Sequence, residues 1–509
     1  MNQRKFGTLL SYLHIILNNT ISIIYTPYML RMMGQSEYGL FGTANSFISY
    51  LSILSFGVGG AYIRFNARCR ATGDKDEEAR LNGMFLSVFS FLSVLVLVGG
   101  TLCIVFVDKL VGNTFTVNEI YKLRVILFVL TLNTMATFIF NVVMMALMAY
   151  EKFIAIRLTT LIAGVVTPLC NVIALKIGGR AITITVLSTV IGISCMLFYL
   201  FYAKRVIAMR FSFRGFQFSL LTEIFTFSGF LFLNSITDQI TFSTDNIILG
   251  ATLGTSAVAV YTVGSNFKNY FQQFSSAISG VFAPKINMLV AQKQGISALD
   301  DVFIRVGRIQ FYMIALIIIG YISIGQDFVR LWAGNDYGDA FYIGLLLMLS
   351  VCIPSFQNVG LEIQKAMNMH KARSIVYFFI ALTNVLLTIP FSRMWGGIGA
   401  ALATALCMIL GYSIFMNWHY SSRLGLNIKK FWLSIAQILP GCVPPIIVGW
   451  FIHQFWSLNS FLSILAAALI ISTVFLCSVW KFSMNSYEHD LFSAPIRKVR
   501  SILKSRLHM

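Results

Sequence analysis

The sequence predicts an all-α protein that crosses a membrane many times, and three observations predict it. The 509 residues are 57% hydrophobic and only 11% charged, with a mean hydropathy of +0.78. A soluble chain of this length could not bury that much apolar surface. Apolar runs of about 20 residues, the length that crosses a ~30 Å hydrocarbon core, recur from residue 8 to residue 480. They lack the ~10-residue alternating segments of a transmembrane barrel.

Taken in order, the expected spans are 8–30, 38–63, 83–107, 123–149, 158–177, 181–203, 223–250, 257–283, 306–326, 341–362, 373–391, 398–418, 431–452 and 461–480, fourteen in all. The basic residues between them set the orientation. Of 38 Lys and Arg, 29 fall in one alternate set of connections together with both termini, and eight (Arg31, Lys109, Lys122, Arg124, Lys176, Arg180, Arg330, Arg393) in the other. Cytoplasmic connections carry the excess of Lys and Arg, so both termini are expected in the cytoplasm. The net charge of +19 and pI of about 9.6 therefore reflect topology, and nucleic acid is not an expected partner. The first apolar segment runs on to about Arg31 without a small-residue cleavage site, so no cleavable signal peptide is expected.

The chain also repeats itself. MMGQSEYGLFGTANSFISY (Met32–Tyr50) lies without gaps on TLGTSAVAVYTVGSNFKNY (Thr252–Tyr270) at an offset of 220, placing Gly34 on Gly254 and Ser36 on Ser256. IGGRA (Ile177–Ala181) meets WGGIG (Trp395–Gly399) at 218. The offset contains six spans, an even number, so the copies are parallel in the bilayer, as in transporters built of two lobes around a cleft. The expected organisation is a six-helix lobe over 1–221, a second over 222–430, an extra helix pair over 431–480 and a basic cytoplasmic tail over 481–509.

Two polar stripes mark the candidate site. A charged side chain at a span centre costs roughly 2.5–3.5 kcal/mol on insertion scales, so it faces protein or a water-filled cavity. In span 7, Asn234, Asp238, Thr241 and Asp245 follow at spacings of 4, 3 and 4, one helical face. In span 8, Tyr261, Ser265, Lys268, Gln272, Ser275 and Ser279 make a second stripe. Lys268 is the basic residue expected deepest in a span. It is a fixed cation for an anionic substrate group, with Tyr261, Ser265 and Gln272 lining the same path. Asp245, Asp238 and Asn234 are candidates for a coupling ion. The alternative is structural: Asp238 or Asp245 pairs with Lys268 and clips the two spans together. His14, alone in span 1, reads as packing rather than as a proton relay.

Other motifs carry less. FGVGGAYIR lacks the strand and the Lys-Ser/Thr of a phosphate loop; its glycines suit close helix packing. ATGDKDEEAR (Ala71–Arg80) reads as a solvated charged loop. The tail APIRKVRSILKSRLHM is either an amphipathic segment on anionic lipid or a frayed end. The eight cysteines form no CxxC pair and read as small buried hydrophobes. Nothing has metal-ligand spacing or a nucleophile's arrangement, so neither a metal nor an enzyme is expected.

PYMLRMMGQSEYGLFG (Pro27–Gly42), with the following glycine run and Arg64, resembles the N-terminal signature of bacterial polysaccharide flippases. Their superfamily also holds the MATE multidrug exporters and the peptidoglycan-precursor flippase. TDNIILGATLGTSAVAVYTVG (Thr244–Gly264) and TNVLLTIPFSRMWGGIGAALATAL (Thr383–Leu406) resemble the same family's span 7–8 and span 11–12 regions. The resemblance implies an undecaprenyl-diphosphate-linked oligosaccharide turned from the cytoplasmic to the outer leaflet of a bacterial cytoplasmic membrane by alternating access. It implies no cofactor beyond Na+ or H+ as coupling ion, membrane lipid as surroundings, and a polysaccharide polymerase and glycosyltransferases as partners. Span 7 and span 11 residues bind sodium in some relatives, and Asp245 and Asn384 are the positions in those spans here that could do so, without a residue-by-residue correspondence. Arg31 and Arg64 serve either the diphosphate or interfacial anchoring. A MATE-like cation-coupled exporter is the alternative; the extra helix pair favours the flippase.

Overall fold

A computed structural model describes residues 3–55, 58–214, 218–367, 369 and 371–493. In chain order the α-helices are α1 (Gln3–Met33), α2 (Gln35–Ser52), α3 (Val58–Thr72), α4 (Lys75–Val105), α5 (Val107–Val111), α6 (Val117–Ala149), α7 (Phe153–Lys176), α8 (Ala181–Val206), α9 (Phe218–Leu253), α10 (Thr255–Ala291), α11 (Ile296–Ala333), α12 (Asp339–Phe356), α13 (Asn358–Ala366), α14 (Lys371–Met408), α15 (Met416–Ser422), α16 (Ile428–Ala436), α17 (Leu439–Phe455) and α18 (Phe461–Phe482). The protein is an all-α polytopic membrane protein, and every expected span falls on one of these helices or on a broken pair of them.

Among the described residues, nine helices are long and apolar enough to cross a membrane, or ten when α16 and α17, bent by 42°, count as one broken span. The expected fourteen exceeds this because Lys371–Ser422, which carries the eleventh and twelfth expected spans, counts once, and the helices of the first, second and seventh are not among those counted. Two of the spans are also interrupted. The second is divided among α2, a short 3-10 turn and α3, and the tenth breaks at Gln357 between α12 and α13. Large apolar side chains face outward along α4, α17 and α18, among them Val98, Leu102, Ile446, Trp450, Leu465 and Leu469. That surface matches lipid rather than water.

Two compact units are formed. The first comprises Met1–Val263 and Lys371–Cys407, the second Gly264–His370 and Met408–Met509. In the first, α6 packs on α4, α8 and α2, α1 packs on α7, and α2 packs on α9. Tyr62 and Phe85 meet edge to face at 5.1 Å in its core. In the second, α11 is the hub that α12, α16, α17 and α18 cover, with Phe303 stacked on Phe431 at 4.4 Å.

The charged stretch Ala71–Arg80 is not a loop. Only Gly73 and Asp74 separate α3 from α4. The Asp74 side chain accepts the amides of Asp76 and Glu77, an N-cap that starts α4 well before its apolar run. The cysteines divide: Cys69, Cys407 and Cys442 are buried, and Cys477 is exposed. The glycine run's first residue, Gly57, the side chain of His14 and the tail 494–509 lie outside the described residues.

Candidate functional site

The site grows from a chain reversal. Trp395 and Gly396 leave the helical region (φ −132° and +61°) and break α14 in two. The Asn384 Oδ1 and the Thr404 Oγ1 are 3.2 Å apart, although twenty residues of unbroken helix would hold them about 30 Å apart. The two halves therefore run back along one another. Gly399 permits the tight return, because a Cβ there would come 1.9 Å from the carbonyl oxygen of Phe391.

This reversal brings the two halves of α14 against α9 around Asp245, which is 1% exposed. Thr388 donates to Asp245 Oδ1 at 3.2 Å, and Thr404 donates to Oδ2 at 2.8 Å. The Tyr261 hydroxyl, from the first turns of α10, also donates to Oδ2. Asn384, 1% exposed, presents its Oδ1 to the same two threonines, at 3.2 Å each. Asn384 Nδ2 is buried without a partner.

Proton arithmetic gives the cluster its character. A hydroxyl carries one hydrogen, so Thr388 and Thr404 each serve either Asp245 or Asn384, never both. Three hydroxyl protons are thus set among three acceptor oxygens, two of Asp245 and one of Asn384. The arrangement is oxygen-rich and buried. A single small cation is a ligand of matching charge for a buried carboxylate. The donor set is entirely oxygen, the set that hard cations take. Among the described residues, no three His, Cys, Asp or Glu side chains gather as a metal site.

The expected residues thus separate. Asp245 and Asn384 come together, and Tyr261 joins them rather than lying in an open stripe. Thr388 and Thr404 were not singled out by sequence; Thr388 sits one turn after Asn384, a spacing that pointed to it. Asp238, about two turns before Asp245, is exposed. Asn234 accepts from the Ser374 hydroxyl at 3.0 Å. The face of α9 that looked uniform by spacing therefore meets three environments. In the second unit, Lys268 is 4% exposed, with Ser265 and Gln272 half-buried about a turn to either side. Further along the stripe, Ser275 donates to the carbonyl of Ser355 at 2.5 Å. Arg31 and Arg64 are exposed.

Solved structures share this many-helix membrane fold. The lipid II flippase MurJ, in an inward closed conformation, superimposes with a TM-score of 0.72 at 16% identity, over 96% of this chain and 99% of its own. An inward-facing multidrug resistance MATE family transporter gives 0.65 at 15%, over 81% and 95%. The family model described as polysaccharide biosynthesis protein matches residues 6–290, and the chain belongs to that family. The uncharacterized membrane protein EpsK of Bacillus subtilis (strain 168) is 20% identical over 95% of this chain and 96% of its own. The probable flippase AglR of Haloferax volcanii is 25% identical over 33% of this chain and 35% of its own.

Proposed function

We propose that the protein turns an undecaprenyl-diphosphate-linked oligosaccharide from the cytoplasmic to the outer leaflet of a bacterial cytoplasmic membrane by alternating access, driven by Na+ or H+ bound at Asp245. The observation that carries the reading is the buried cluster of Asp245, Asn384, Thr388, Thr404 and Tyr261 in a chain of this family. Membership in the polysaccharide biosynthesis family supports a glycan precursor as cargo. The lipid II flippase fold covers nearly the whole chain, the MATE fold about four fifths, which favours lipid-linked cargo over a drug.

In this reading both termini are cytoplasmic, and two six-helix lobes, 1–221 and 222–430, rock around a cleft. Lys268 offers a buried cation to the diphosphate, Ser265 and Gln272 offer it hydrogen bonds, and Arg31 and Arg64 act at the two membrane surfaces. Tyr261 belongs to the ion site. Asp238, exposed on α9, is the second candidate for the coupling ion.

The test is a deletion strain. Its extracted lipids should contain undecaprenyl-diphosphate-linked oligosaccharide trapped on the cytoplasmic leaflet while surface polymer disappears. Wild-type protein should restore export, and a well-inserted Lys268→Ala variant should not. Unchanged glycan lipids together with accumulation of organic cations in the cells would replace this reading with that of an exporter.

A further inference from the structure

Gly34 and Gly254 correspond at the repeat offset. Each takes a left-handed conformation, φ 82° and 86°, immediately before a helix start, that of α2 and that of α10. Both are turns that glycine makes without strain. One carboxylate joins these two starts. Glu119 Oε1 accepts the Ser36 hydroxyl at 2.5 Å and the Thr255 hydroxyl at 2.8 Å. Its other oxygen accepts the amide and the hydroxyl of Thr116, at 2.8 and 2.9 Å, which closes the capping box of α6. A single negative charge thus lies at the first turns of three helices, where the helix dipoles favour it.

The surface below Glu119 is unlike a packed core. A Cβ at Gly39 would come 1.9 Å from the Thr255 carbonyl oxygen, and one at Gly42 would come 2.8 Å from the Thr262 hydroxyl. The backbone of α2 therefore touches the start of α10 directly. Farther along, Asn246 of α9 donates to Ser46 at 3.0 Å, and Tyr50 shares a hydrogen bond with Thr244. Small residues and hydrogen bonds line this seam. Hydrogen bonds of that kind exchange for water at small net cost, so the seam is able to part as a unit.

We propose that Glu119 is the latch of an outer gate. It holds the repeat-related starts of α2 and α10 together, and opening toward the outside requires Ser36 and Thr255 to release it while the capping box of α6 stays closed. The proposal rests on the orientation and the alternating access given above.

The test uses the full chain with Thr43→Cys as a reporter, a position fully buried one turn past Gly39 on α2. Labelling by a membrane-impermeant thiol reagent is read by mass spectrometry at the reporter peptide, so the eight native cysteines stay. Intact cells and inverted vesicles present the two faces. Ser36→Ala with Thr255→Val should speed labelling from the outside roughly fivefold or more, the scale of one coupling interaction. Thr116→Ala, which breaks only the cap, should leave the rate near that of the parent. No acceleration from either face overturns the latch. Acceleration confined to inverted vesicles overturns its outer placement, and equal acceleration by Thr116→Ala reduces Glu119 to a helix cap. None of these outcomes depends on glycan transport, so they stand apart from failure of the flippase reading.

Discussion

Asp245 is buried, and the proposed ion site centres on it. With hydroxyls from Tyr261, Thr388 and Thr404 around it, Asp245→Asn removes the charge and keeps the shape. Transport by this variant should lose its dependence on the ion gradient. Thr404→Val, which deletes one shared donor, should weaken the apparent affinity for the coupling ion by roughly 5- to 150-fold, the usual span of a coupling free energy; flux measured against Na+ and pH gradients in vesicles checks both. Unaltered gradient dependence in Asp245→Asn would assign the cluster to packing alone. A second buried charge behaves differently. Glu488 accepts Arg308 through Nε at 2.6 Å and Nη2 at 2.9 Å, and Tyr312 at 2.9 Å. Burial pushes its pKa up, but the Arg308, Asn485 and Tyr312 bonds outweigh this and hold the carboxyl below its ordinary value. A carboxyl depressed in the folded state adds stability above its unfolded value of about 4.3 and loses it as pH falls through the folded value. Melting temperature in detergent should therefore drop below about pH 4.3 in the wild type. Glu488→Gln should flatten that slope, and it should cost roughly 3–5 kcal/mol at neutral pH because Arg308 is left buried and unmatched.

At the scale of the element, α14 decides whether the site exists. Asn384 and Thr388 lie before its break and Thr404 after it, so only the return at Trp395–Gly396 lets them share Asp245. Gly399→Val places a side chain where the Phe391 carbonyl already lies within 1.9 Å of a Cβ. The return must open. The expected result is a loss of about 1–3 kcal/mol in thermal stability, as for overpacked cores, together with weakened ion dependence. Retention of wild-type ion dependence would show that the return tolerates a wider turn. The same element shows how far sequence reading reaches. WGGIG was visible as a connection between spans, since paired glycines interrupt an apolar run. The π-helical stretch Ile409–Phe415 that follows was not visible, because its residues are ordinary span residues and the extra backbone turn has no compositional mark. Ala71–Arg80 was missed for a related reason: its charge pattern suggests solvation, and the N-cap at Asp74 that makes it helical acts through a single side chain.

At the scale of the whole molecule, the 29-to-8 division of basic residues makes one global prediction. Reporter proteins fused at the N- and the C-terminus should both be active on the cytoplasmic side. A terminus on the outside would overturn the side of the membrane assigned to the loops. Membrane class and helical content were legible because the bilayer imposes length and apolarity along the chain, both one-dimensional properties. Asp245 was legible as a residue, since an ionisable side chain in a span needs a polar partner, whereas Asn384 came only from the family resemblance. Which partners they find is a three-dimensional matter. Spacing put Asn234, Asp238 and Asp245 on one face, yet only the packing of α9 against the two halves of α14 buries Asp245 and leaves Asp238 exposed. Tyr261 looked like a neighbour of Lys268 by spacing and became a donor to Asp245 by packing. The amino-acid sequence by itself determined that this chain threads a membrane as helices and which orientation its charges favour. Tertiary structure alone decided that Thr388 and Thr404 share one carboxylate and one amide, because hydrogen bonds 2.8–3.2 Å long between residues up to 159 positions apart leave no periodic trace in the chain.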